Sequence, residues 1–432
     1  MMFAQSPPRA CAPRARGTSN NGSHMPICRG IAGLLVSAGT AIAQPEYYEQ
    51  YFSDLDTVSV TGVSESGHTV VAWRDWGLVS HHGIRWTPES GAQEFGTIAP
   101  SFTQEVRVYG VSAGGRFSVG TSSFDPNDYR SRAATLIDAD GEPTPIFLQP
   151  GVGATAQVVS IDGTVVYGSF YPTVTGPAHF FRWRQGTVTD LGTMPSFIEC
   201  RAISEDGSLV AGIMYDGVYA DGRAFRWSEA SGFVTIPHLS TGTRIVPMRI
   251  AVDGITVIGF ANDQDGWAIF QQAGGGEAVP VIRIGSGITP MDTSMDGSTV
   301  VGFSGGVTAP YAPLFWRSAT GVVNVKTLMR AAGFAHVNIG LVHRVSPDGR
   351  VMAGSGPGPG GNFICIAIPG GCTANVDQST TPPVLNVNDF VAFLGYFGQG
   401  STRANCDGST VGPVLNANDF QCFLNQFAAG CP

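Results

Sequence analysis

Charged residues are scarce in this chain of 432 residues: Asp, Glu, Lys and Arg make up 13% of it, and Lys326 is the single lysine. A helical bundle or coiled coil needs many charged helix-forming residues, so the composition excludes both. The net charge of −9 argues against a nucleic-acid-binding surface. Beyond residues 25–43, no segment is apolar for long enough to span a bilayer. The eight cysteines are too few to staple the whole chain.

Glycine and proline are abundant, with 58 and 28 residues, while 43% of the chain is apolar. The apolar content excludes a highly charged disordered chain, and the lack of a three-residue glycine period excludes collagen. The composition is typical of an all-β protein with many short strands and turns. The length allows two or three domains.

Residues 25–43 have the pattern of a secretory signal peptide. One arginine precedes an apolar stretch of small residues that ends in Ala41-Ile42-Ala43, which fits cleavage before Gln44. Residues 1–24 are either an extended n-region or a mis-assigned start, with Met25 as the true first residue. The sequence therefore predicts a secreted, extracellular or cell-surface protein in a compartment that permits disulfides.

A short phrase ending in glycine recurs seven times through the middle of the chain. Its glycines are Gly67, Gly115, Gly163, Gly207, Gly254, Gly297 and Gly349. An apolar strand that usually contains glycine follows each copy, and then come an aromatic phrase such as Phe225–Trp227 and a third strand-like phrase such as Val322–Leu328. Asp-Gly pairs in these phrases predict tight turns between antiparallel strands.

Four antiparallel strands per repeat predict a blade of a β-propeller. Seven units fill residues 44–371, so we expect a seven-bladed propeller with four strands in each blade; a β-solenoid is the competing fold. The seventh unit lacks its fourth strand, and we expect Tyr51–Asp56 to complete it beside Phe363–Ile368, because closure of the ring removes exposed edges.

These units resemble the HAF-type extracellular repeats of bacterial secreted proteins, which share the DLG, DG and FRW-like phrases. The resemblance covers about three quarters of the chain. It implies a propeller architecture and says little about activity, because a propeller is a scaffold for enzymes and binding proteins alike.

Residues 372–432 contain two similar segments, Asn375–Phe397 and Asn405–Phe427, at a spacing of 30 residues. Each begins with Asn-x-Asp-x-Ser, reaches Asn-x-Asn-Asp-Phe, and continues with phenylalanine and leucine at i, i+3, i+4 and i+7, which predicts a helix with one apolar face. Oxygen ligands alternating along a loop that ends in a carboxylate suit calcium. The candidate ligands are Asn375, Asp377, Ser379, Asp389, Asn405, Asp407, Ser409 and Asp419.

The paired loop-helix units resemble a GC-type dockerin. The resemblance implies calcium-stabilised folding and docking to a cohesin-like partner on another protein or at the cell surface. The two loops depart from the dockerin pattern in two ways. Each spans fifteen positions rather than twelve, counted from the first ligand to the closing Asp, and Thr380 and Thr410 replace an expected glycine. Modest calcium affinity is therefore expected; alternatively, the Asn and Asp residues only shape turns and cap helices.

Four cysteines of this region are candidates for two disulfides, and the sequence leaves three pairings open. They are Cys372, Cys406, Cys422 and Cys431. The other two cysteines after the signal peptide, Cys200 and Cys365, fall in propeller strands and are expected to be buried thiols.

No catalytic motif is recognisable, so no catalytic residue is assigned. The turn aspartates Asp162, Asp206, Asp253, Asp296 and Asp348 could serve glycoside chemistry, but their regular recurrence favours a role in turns. Exposed aromatic residues in the loops could stack on sugars; they are Trp73, Trp76, Tyr129, Tyr171, Tyr215, Tyr219 and Tyr311.

The function that the sequence favours is a non-catalytic secreted propeller that binds a protein or a polysaccharide through its loop face and is anchored by the dockerin-like tail. One alternative is an extracellular glycoside hydrolase or polysaccharide lyase, and another is a purely structural surface protein. Acidic and basic side chains clustered at the propeller mouth would favour the enzyme. A mouth of backbone and aliphatic groups would favour the binding protein.

Overall fold

The computed structural model describes the amino-terminal residues 28–30 and 46–51, most of residues 57–367, and parts of the carboxyl-terminal region. The gaps in residues 57–367 are 66, 77–79, 88–89, 99–104, 126–130, 149–152, 174–175, 194–196, 216–221, 238–243, 252, 264, 275, 306–310, 318–319, 332–338 and 357–361. The described carboxyl-terminal residues are 374, 376, 385–398, 404, 406 and 415–429.

Two amino-terminal strands, β1 (Cys28–Gly30) and β2 (Glu46–Tyr51), precede the repeats. Six four-stranded antiparallel sheets then follow in chain order within the described residues, and in each of them every strand pairs with the next. We call them blades 1 to 6. The chain forms an all-β propeller of such blades, followed by a small helical region.

Blades 1 to 3 have the following strands. Blade 1 contains β3 (Thr57–Val63), β4 (Val70–Trp76), β5 (Ser80–Thr87) and β6 (Gly91–Glu94); blade 2 contains β7 (Val106–Val111), β8 (Ser118–Ser123), β9 (Arg132–Ile137) and β10 (Pro143–Phe147); blade 3 contains β11 (Ala154–Val159), β12 (Val165–Phe170), β13 (His179–Arg184) and β14 (Thr187–Thr193).

Blades 4 to 6 repeat the arrangement. Blade 4 contains β15 (Phe197–Ile203), β16 (Leu209–Tyr215), β17 (Arg223–Ser228) and β18 (Gly232–Thr235); blade 5 contains β19 (Arg244–Ile250), β20 (Val257–Asp263), β21 (Gly266–Gln272) and β22 (Val279–Gly285); blade 6 contains β23 (Thr289–Thr293), β24 (Thr299–Ser304), β25 (Ala312–Arg317) and β26 (Gly321–Asn324).

The remaining sheet, which we call the closing sheet, has five strands. It contains β27 (Leu341–Val345), β28 (Val351–Ser355) and β29 (Asn362–Ala367), followed by β2 and β1 at the outer edge. The prediction of seven four-stranded blades is wrong in this respect: six blades have four strands in the described part of the chain, and the closing sheet differs because two amino-terminal strands extend it.

Ring closure by an amino-terminal strand is confirmed, because β2 (Glu46–Tyr51) pairs with β29; of the predicted strand Tyr51–Asp56, residues 52–56 lie outside the described residues. In the structure Tyr51 pairs with Asn362 and Glu46 pairs with Ala367.

Most of the predicted signal peptide lies outside the described residues; the exception is β1, which pairs with β2 through Cys28 opposite Glu49. Cleavage before Gln44, as the sequence predicts, would remove β1 and leave a four-stranded closing sheet of β27, β28, β29 and β2. No helix in the described residues is long and apolar enough to cross a membrane.

The hydrophobic core lies between neighbouring sheets. Between blades 3 and 4, for example, Tyr167 and Phe180 pack against Phe225 and Trp227. The Tyr167 hydroxyl also donates to the Gly207 carbonyl at 2.9 Å, which ties the two blades together. Each blade therefore depends on both neighbours for burial of its apolar faces.

The seven repeated glycines all adopt positive φ values between 67° and 74°, as a tight turn requires. In blade 4 the Ser204 hydroxyl donates to Asp206 at 2.7 Å and accepts from the Leu209 amide at 2.9 Å, while Asp206 accepts from the Ser208 amide. Equivalent bonds occur at Asp162, Asp296 and Asp348. These aspartates shape turns, as the sequence indicates.

The segment Val322–Leu328 is only partly a strand. After β26 the chain forms helix α1 (Val325–Ala331), and Val325 and Met329 pack into the core beside the closing sheet. The Asn324 side-chain oxygen accepts from the Thr327 amide at 3.2 Å, so Asn324 acts as the helix N-cap. This cap ends the strand that the sequence predicts to continue.

The carboxyl-terminal region contains two helices, α2 (Val387–Gly398) and α3 (Ala417–Ala429), as predicted. Phe393 and Phe423, which are 30 residues apart in the sequence, stack with ring centroids 4.3 Å apart and planes inclined by 9°. Both are about 1% exposed. The repeated segments thus share one core in which equivalent residues face each other.

Cys406 and Cys422 form a disulfide, which links the second loop to its helix. Cys372 and Cys431 lie outside the described residues. At a spacing of 30 residues, the counterparts of Cys406 and Cys422 are Val376 and Ala392. Only the second segment therefore carries this cross-link. In the propeller, Cys200 is a buried free thiol, as predicted, and burial raises its pKa well above the usual value.

Candidate functional site

The innermost strand of every sheet carries one extra residue, a β-bulge, at an equivalent place. In each case this residue stands six positions before the repeated glycine. The bulged residues are Thr61, Tyr109, Gln157, Arg201, Met248, Met291 and His343. Unlike the glycines, they differ from blade to blade, and five of the seven line a common cavity: Thr61, Tyr109, Gln157, Arg201 and Met248.

These strands surround a cavity of about 360 Å³ on the propeller axis. Its wall contains six charged side chains, from Glu199, Arg201, Glu205, Arg249, Asp292 and Arg344, and one uncharged amide, Gln157, together with backbone and aliphatic groups. Three guanidinium groups thus accompany three carboxylates. The cavity extends to the turn region, where Glu205 and Pro347 line it.

Arg249 and Asp292 form a bonded unit that joins three sheets. Arg249 Nη2 lies 2.7 Å from Asp292 Oδ2 and 2.9 Å from the Val345 carbonyl oxygen, while its Nε donates to the Thr293 carbonyl at 3.0 Å. Asp292 also accepts from the Thr293 and Val345 amides. Because the Asp292 side chain is 1% exposed and accepts three bonds, it is a structural carboxylate.

Arg344 links the closing sheet to blade 1. Its Nε donates to the Thr61 carbonyl and its Nη1 to the His343 carbonyl, each at 2.9 Å. Burial lowers the pKa of Arg344; Asp292 and Glu199 oppose this effect, while Arg201 and Arg249 add to it. The guanidinium groups around the axis therefore repel one another, and an anion in the cavity would relieve that repulsion.

Arg201 has the least satisfied guanidinium of the three. Its Nη2 lies 2.9 Å from Glu199 Oε1, and its Nη1 contacts the weakly accepting Sδ of Met248 at 3.6 Å. Its Nε is buried and has no hydrogen-bond partner among the described residues. The side chain is 25% exposed, so a ligand in the cavity can reach the guanidinium.

Aromatic side chains flank the charged groups. Tyr109, Tyr171 and Phe197 line the cavity, and Phe197 is 42% exposed. Of the aromatic residues singled out in the sequence, only Tyr171 lines this cavity; Tyr215 packs on Phe197 with ring centroids 5.9 Å apart. The structure places the others elsewhere or does not describe them: Trp73 packs on His81, Tyr311 packs on Phe303, the Trp76 side chain is not described, and Tyr129 and Tyr219 lie outside the described residues.

His343, although a bulged residue, is structural. Its Nε2 lies 2.9 Å from the Ser355 hydroxyl oxygen. Burial, with a smaller effect from Arg344, lowers the pKa of His343 to about 4, so the ring is neutral at pH 7. A neutral, bonded histidine adds no charge to the axis.

The candidate metal ligands fall into two groups. Asp389 and Asp419 are fully buried in the first turns of α2 and α3, and each accepts from the backbone amide of the asparagine three positions earlier, at 2.8 Å. These bonds complete capping boxes. The other six, Asn375, Asp377, Ser379, Asn405, Asp407 and Ser409, lie outside the described residues. Within the described residues, no three His, Cys, Asp or Glu side chains are grouped to hold a metal ion.

The axial arginines were not identified from the sequence, because each stands at a position that varies between repeats. A signal was nevertheless present: Arg201 lies six residues before Gly207, and Arg249 and Arg344 lie five residues before Gly254 and Gly349. Aligning the repeats on the glycine would have placed all three at one level of the axis.

No family model matches the chain, and no curated protein matches it. Among solved structures, it is similar to an oligogalacturonate lyase from Vibrio parahaemolyticus, with 12% identity, a TM-score of 0.53, and coverage of 78% of this chain and 96% of that one. It is also similar to an oligogalacturonate lyase in complex with manganese, with 11% identity, a TM-score of 0.51, and coverage of 80% and 97%. At these identities the similarity shows the propeller fold alone.

Proposed function

We propose that this is a secreted binding protein whose propeller recognises an acidic saccharide in the axial cavity. The observation that carries the proposal is the Nε of the accessible Arg201, which is buried and has no hydrogen-bond partner among the described residues, in a cavity that two further guanidinium groups also line. Arginine suits carboxylate recognition because its fork of donors matches the two oxygens. Tyr109, Tyr171 and Phe197 offer apolar faces against which a sugar ring can pack.

An enzyme acting on acidic polysaccharide is the second candidate, because the axis holds the mixed acidic and basic cluster that favours catalysis. The bonding of the carboxylates favours binding instead. Asp292 accepts three hydrogen bonds and is almost fully buried, whereas Glu199 is paired with Arg201 and lies 3.4 Å from the Tyr215 hydroxyl. Glu199 is thus the more accessible of these two carboxylates and is the first candidate for the acid or base of such an enzyme.

The test is titration calorimetry of the full chain with acidic uronate oligosaccharides and with matched neutral ones. We expect binding of the acidic series, with affinity at least about tenfold lower in Arg201→Gln, because a hydrogen bond to a charged group contributes about 1.5–3 kcal/mol. Arg330→Gln, which removes an exposed arginine of α1, is the control of equal charge and should bind normally.

The same samples are assayed for reducing ends, which a hydrolase generates, and for the ultraviolet absorbance of unsaturated uronate, which a lyase generates. Turnover that is lost in Glu199→Gln would replace the binding proposal by the enzyme. Equal affinity for the neutral series would reject the role of the arginines.

The carboxyl-terminal region is proposed to anchor the protein to a cohesin-like partner or cell-surface component, with calcium stabilising its two loop-helix segments. The supporting observation is the pair of fully buried carboxylates, Asp389 and Asp419, at equivalent helix starts. A buried carboxylate needs compensating charge or hydrogen bonds, and a cation held with the preceding loop oxygens would supply charge.

Calcium at about 1 mM, the range in which extracellular modules bind, is expected to raise the unfolding midpoint of the helical region by about 5 °C. Replacing Asp389 and Asp419 together by asparagine keeps an acceptor for the capping bond and should abolish the shift. The measurement is helical circular dichroism of the full chain with calcium and with a chelator. The chelator should also release the protein from cell-surface fractions; no thermal shift would remove the calcium proposal.

A further inference from the structure

A second arginine-lined cavity lies away from the axis, among the turns of blades 3, 4 and 5. It has a volume of about 470 Å³ and is lined by Arg182 and Arg184 of blade 3, Arg226 and Glu229 of blade 4, and Ile255 of blade 5. None of these residues takes part in the axial site. We call this cavity the interblade groove.

Arg182 shows how an arginine at this position is normally satisfied. It is the middle residue of the Phe-Arg-Trp phrase of blade 3, and it reaches the next blade. Its guanidinium carbon lies 5.6 Å from the ring centroid of Trp227, and its Nη1 donates to Glu229 Oε2 at 2.9 Å. A cation over an indole ring and beside a carboxylate is well compensated.

Arg226 occupies the equivalent position in blade 4 but has no such partner among the described residues. Phe181 and Phe225 pair with the recurrent strand glycines Gly168 and Gly212, which establishes the equivalence of Arg182 and Arg226. Phe270 pairs with Gly259 in blade 5, so the counterparts of Trp227 and Glu229 there are Gln272 and Gly274. The carboxylate that would face Arg226 is therefore replaced by a residue with no side chain.

The Arg226 side chain is nevertheless deeply buried. The residue is 8% exposed, and its Nη1 is buried without a hydrogen-bond partner among the described residues. Burial lowers the pKa of Arg226, and the opposing effect of Asp253 is smaller. Asp253 is itself committed to its turn, where it accepts from the Ile255 and Thr256 amides at 2.8 Å.

We infer that the interblade groove binds one oxyanionic group (a carboxylate, sulfate or phosphate), which takes beside Arg226 the place that Glu229 takes beside Arg182. Arg184, an exposed arginine in the same groove, adds a second positive charge at its rim. Asp206 also lines the groove, but its carboxylate already accepts hydrogen bonds from the Ser204 hydroxyl and the Ser208 amide. The site is independent of the axial cavity and of the function proposed for it.

The probe is inorganic sulfate, with phosphate and acetate as separate arms that distinguish tetrahedral oxyanions from carboxylates. Thermal unfolding of the full chain is followed at constant ionic strength, with chloride as the replaced anion. We expect a saturable rise of about 2–4 °C in the unfolding midpoint, because an anion that binds only the folded state stabilises it. Loss of this rise in Arg226→Gln, with retention in Arg223→Gln of the same strand, supports the site.

Two further variants separate anion binding from a structural effect of Arg226. Gly274→Asp places a carboxylate at the blade 5 position that corresponds to Glu229. The positive φ of 57° at this position is one that aspartate tolerates better than most residues. The variant should lose the sulfate response although Arg226 is still present. Arg201→Gln removes a guanidinium group of the axial cavity and should leave the sulfate response of the interblade groove in place. The proposal is overturned if the wild type shows no saturable rise, or if Arg226→Gln keeps it.

Discussion

Replacing Gly212 by alanine is expected to destabilise the propeller by about 3 kcal/mol or more, as forced overpacking against backbone does. A Cβ atom at Gly212 would lie 2.0 Å from the Glu199 carbonyl oxygen and 3.0 Å from the Cys200 Cα. Both are backbone atoms of the innermost strand, so no side chain can turn away to make room. The free energy of unfolding, measured by urea denaturation, checks the prediction.

Gly287→Ala is the matched control, because Gly287 is exposed, has no positive φ, and has only a Val322 methyl group 4.0 Å from the added Cβ. It should change the free energy of unfolding by no more than about 0.5 kcal/mol. If Gly212→Ala lowered the free energy of unfolding by no more than Gly287→Ala, the backbone at Gly212 would have moved easily to accommodate the Cβ atom, contrary to the prediction.

The expected effect at Gly212 reflects a feature common to the repeats. Six of the second strands have glycine opposite the residue that precedes the bulge, and an added Cβ would lie only 1.9–2.1 Å from a carbonyl oxygen of the innermost strand; these glycines are Gly120, Gly168, Gly212, Gly259, Gly302 and Gly354. Blade 1 has Ala72 there. The bulge brings the two backbones together, so it explains why glycine recurs inside these strands.

Much of the blade could be predicted from the sequence because its determinants are local and repeated. The Ser-x-Asp-Gly phrase specifies its own turn, since the hydroxyl and the carboxylate bond the adjacent amides and the glycine accepts positive φ. The aromatic phrase of the third strand specifies packing against the next blade. The full Ser-x-Asp-Gly phrase occurs in four of the seven units, and the glycine in all seven, so the prediction does not depend on any single residue.

The closing sheet could be predicted only in part, because its pairing joins segments more than 300 residues apart. The need for an extra strand beside β29 followed from the incomplete last unit. Its register did not follow, because no phrase of the sequence specifies which residues of the amino-terminal segment lie opposite Asn362–Ala367.

The bonding of the axial site could not be predicted for a different reason. The repeated glycine marks the level of the bulge, but the type of residue there varies, for example between Thr61 and Arg201, and no local phrase indicates its partners. The bonds that distinguish the arginines join strands of different blades: Arg249 reaches Asp292 and Val345, which are 43 and 96 residues away. Which arginine is structural and which is open to ligand is decided by those long-range partners alone.

Arg249→Ala is expected to cost about 3–5 kcal/mol of unfolding free energy, because it leaves the carboxylate of Asp292 buried without its charged partner. The same substitution removes the donors that bond the Thr293 and Val345 carbonyls, so blade 5 loses these hydrogen bonds to blade 6 and to the closing sheet. Urea denaturation of the full chain measures the loss.

Two companion variants separate charge from geometry. Arg249→Lys keeps a cation near Asp292 but lacks the planar fork that reaches three oxygens, so its loss should be intermediate. Arg201→Ala removes the other axial ion pair, which joins partly exposed side chains, and should cost less than about 1 kcal/mol. If Arg201→Ala proved as destabilising as Arg249→Ala, the division between a structural and a ligand-facing arginine would fail, because both guanidinium groups would then be holding the ring together.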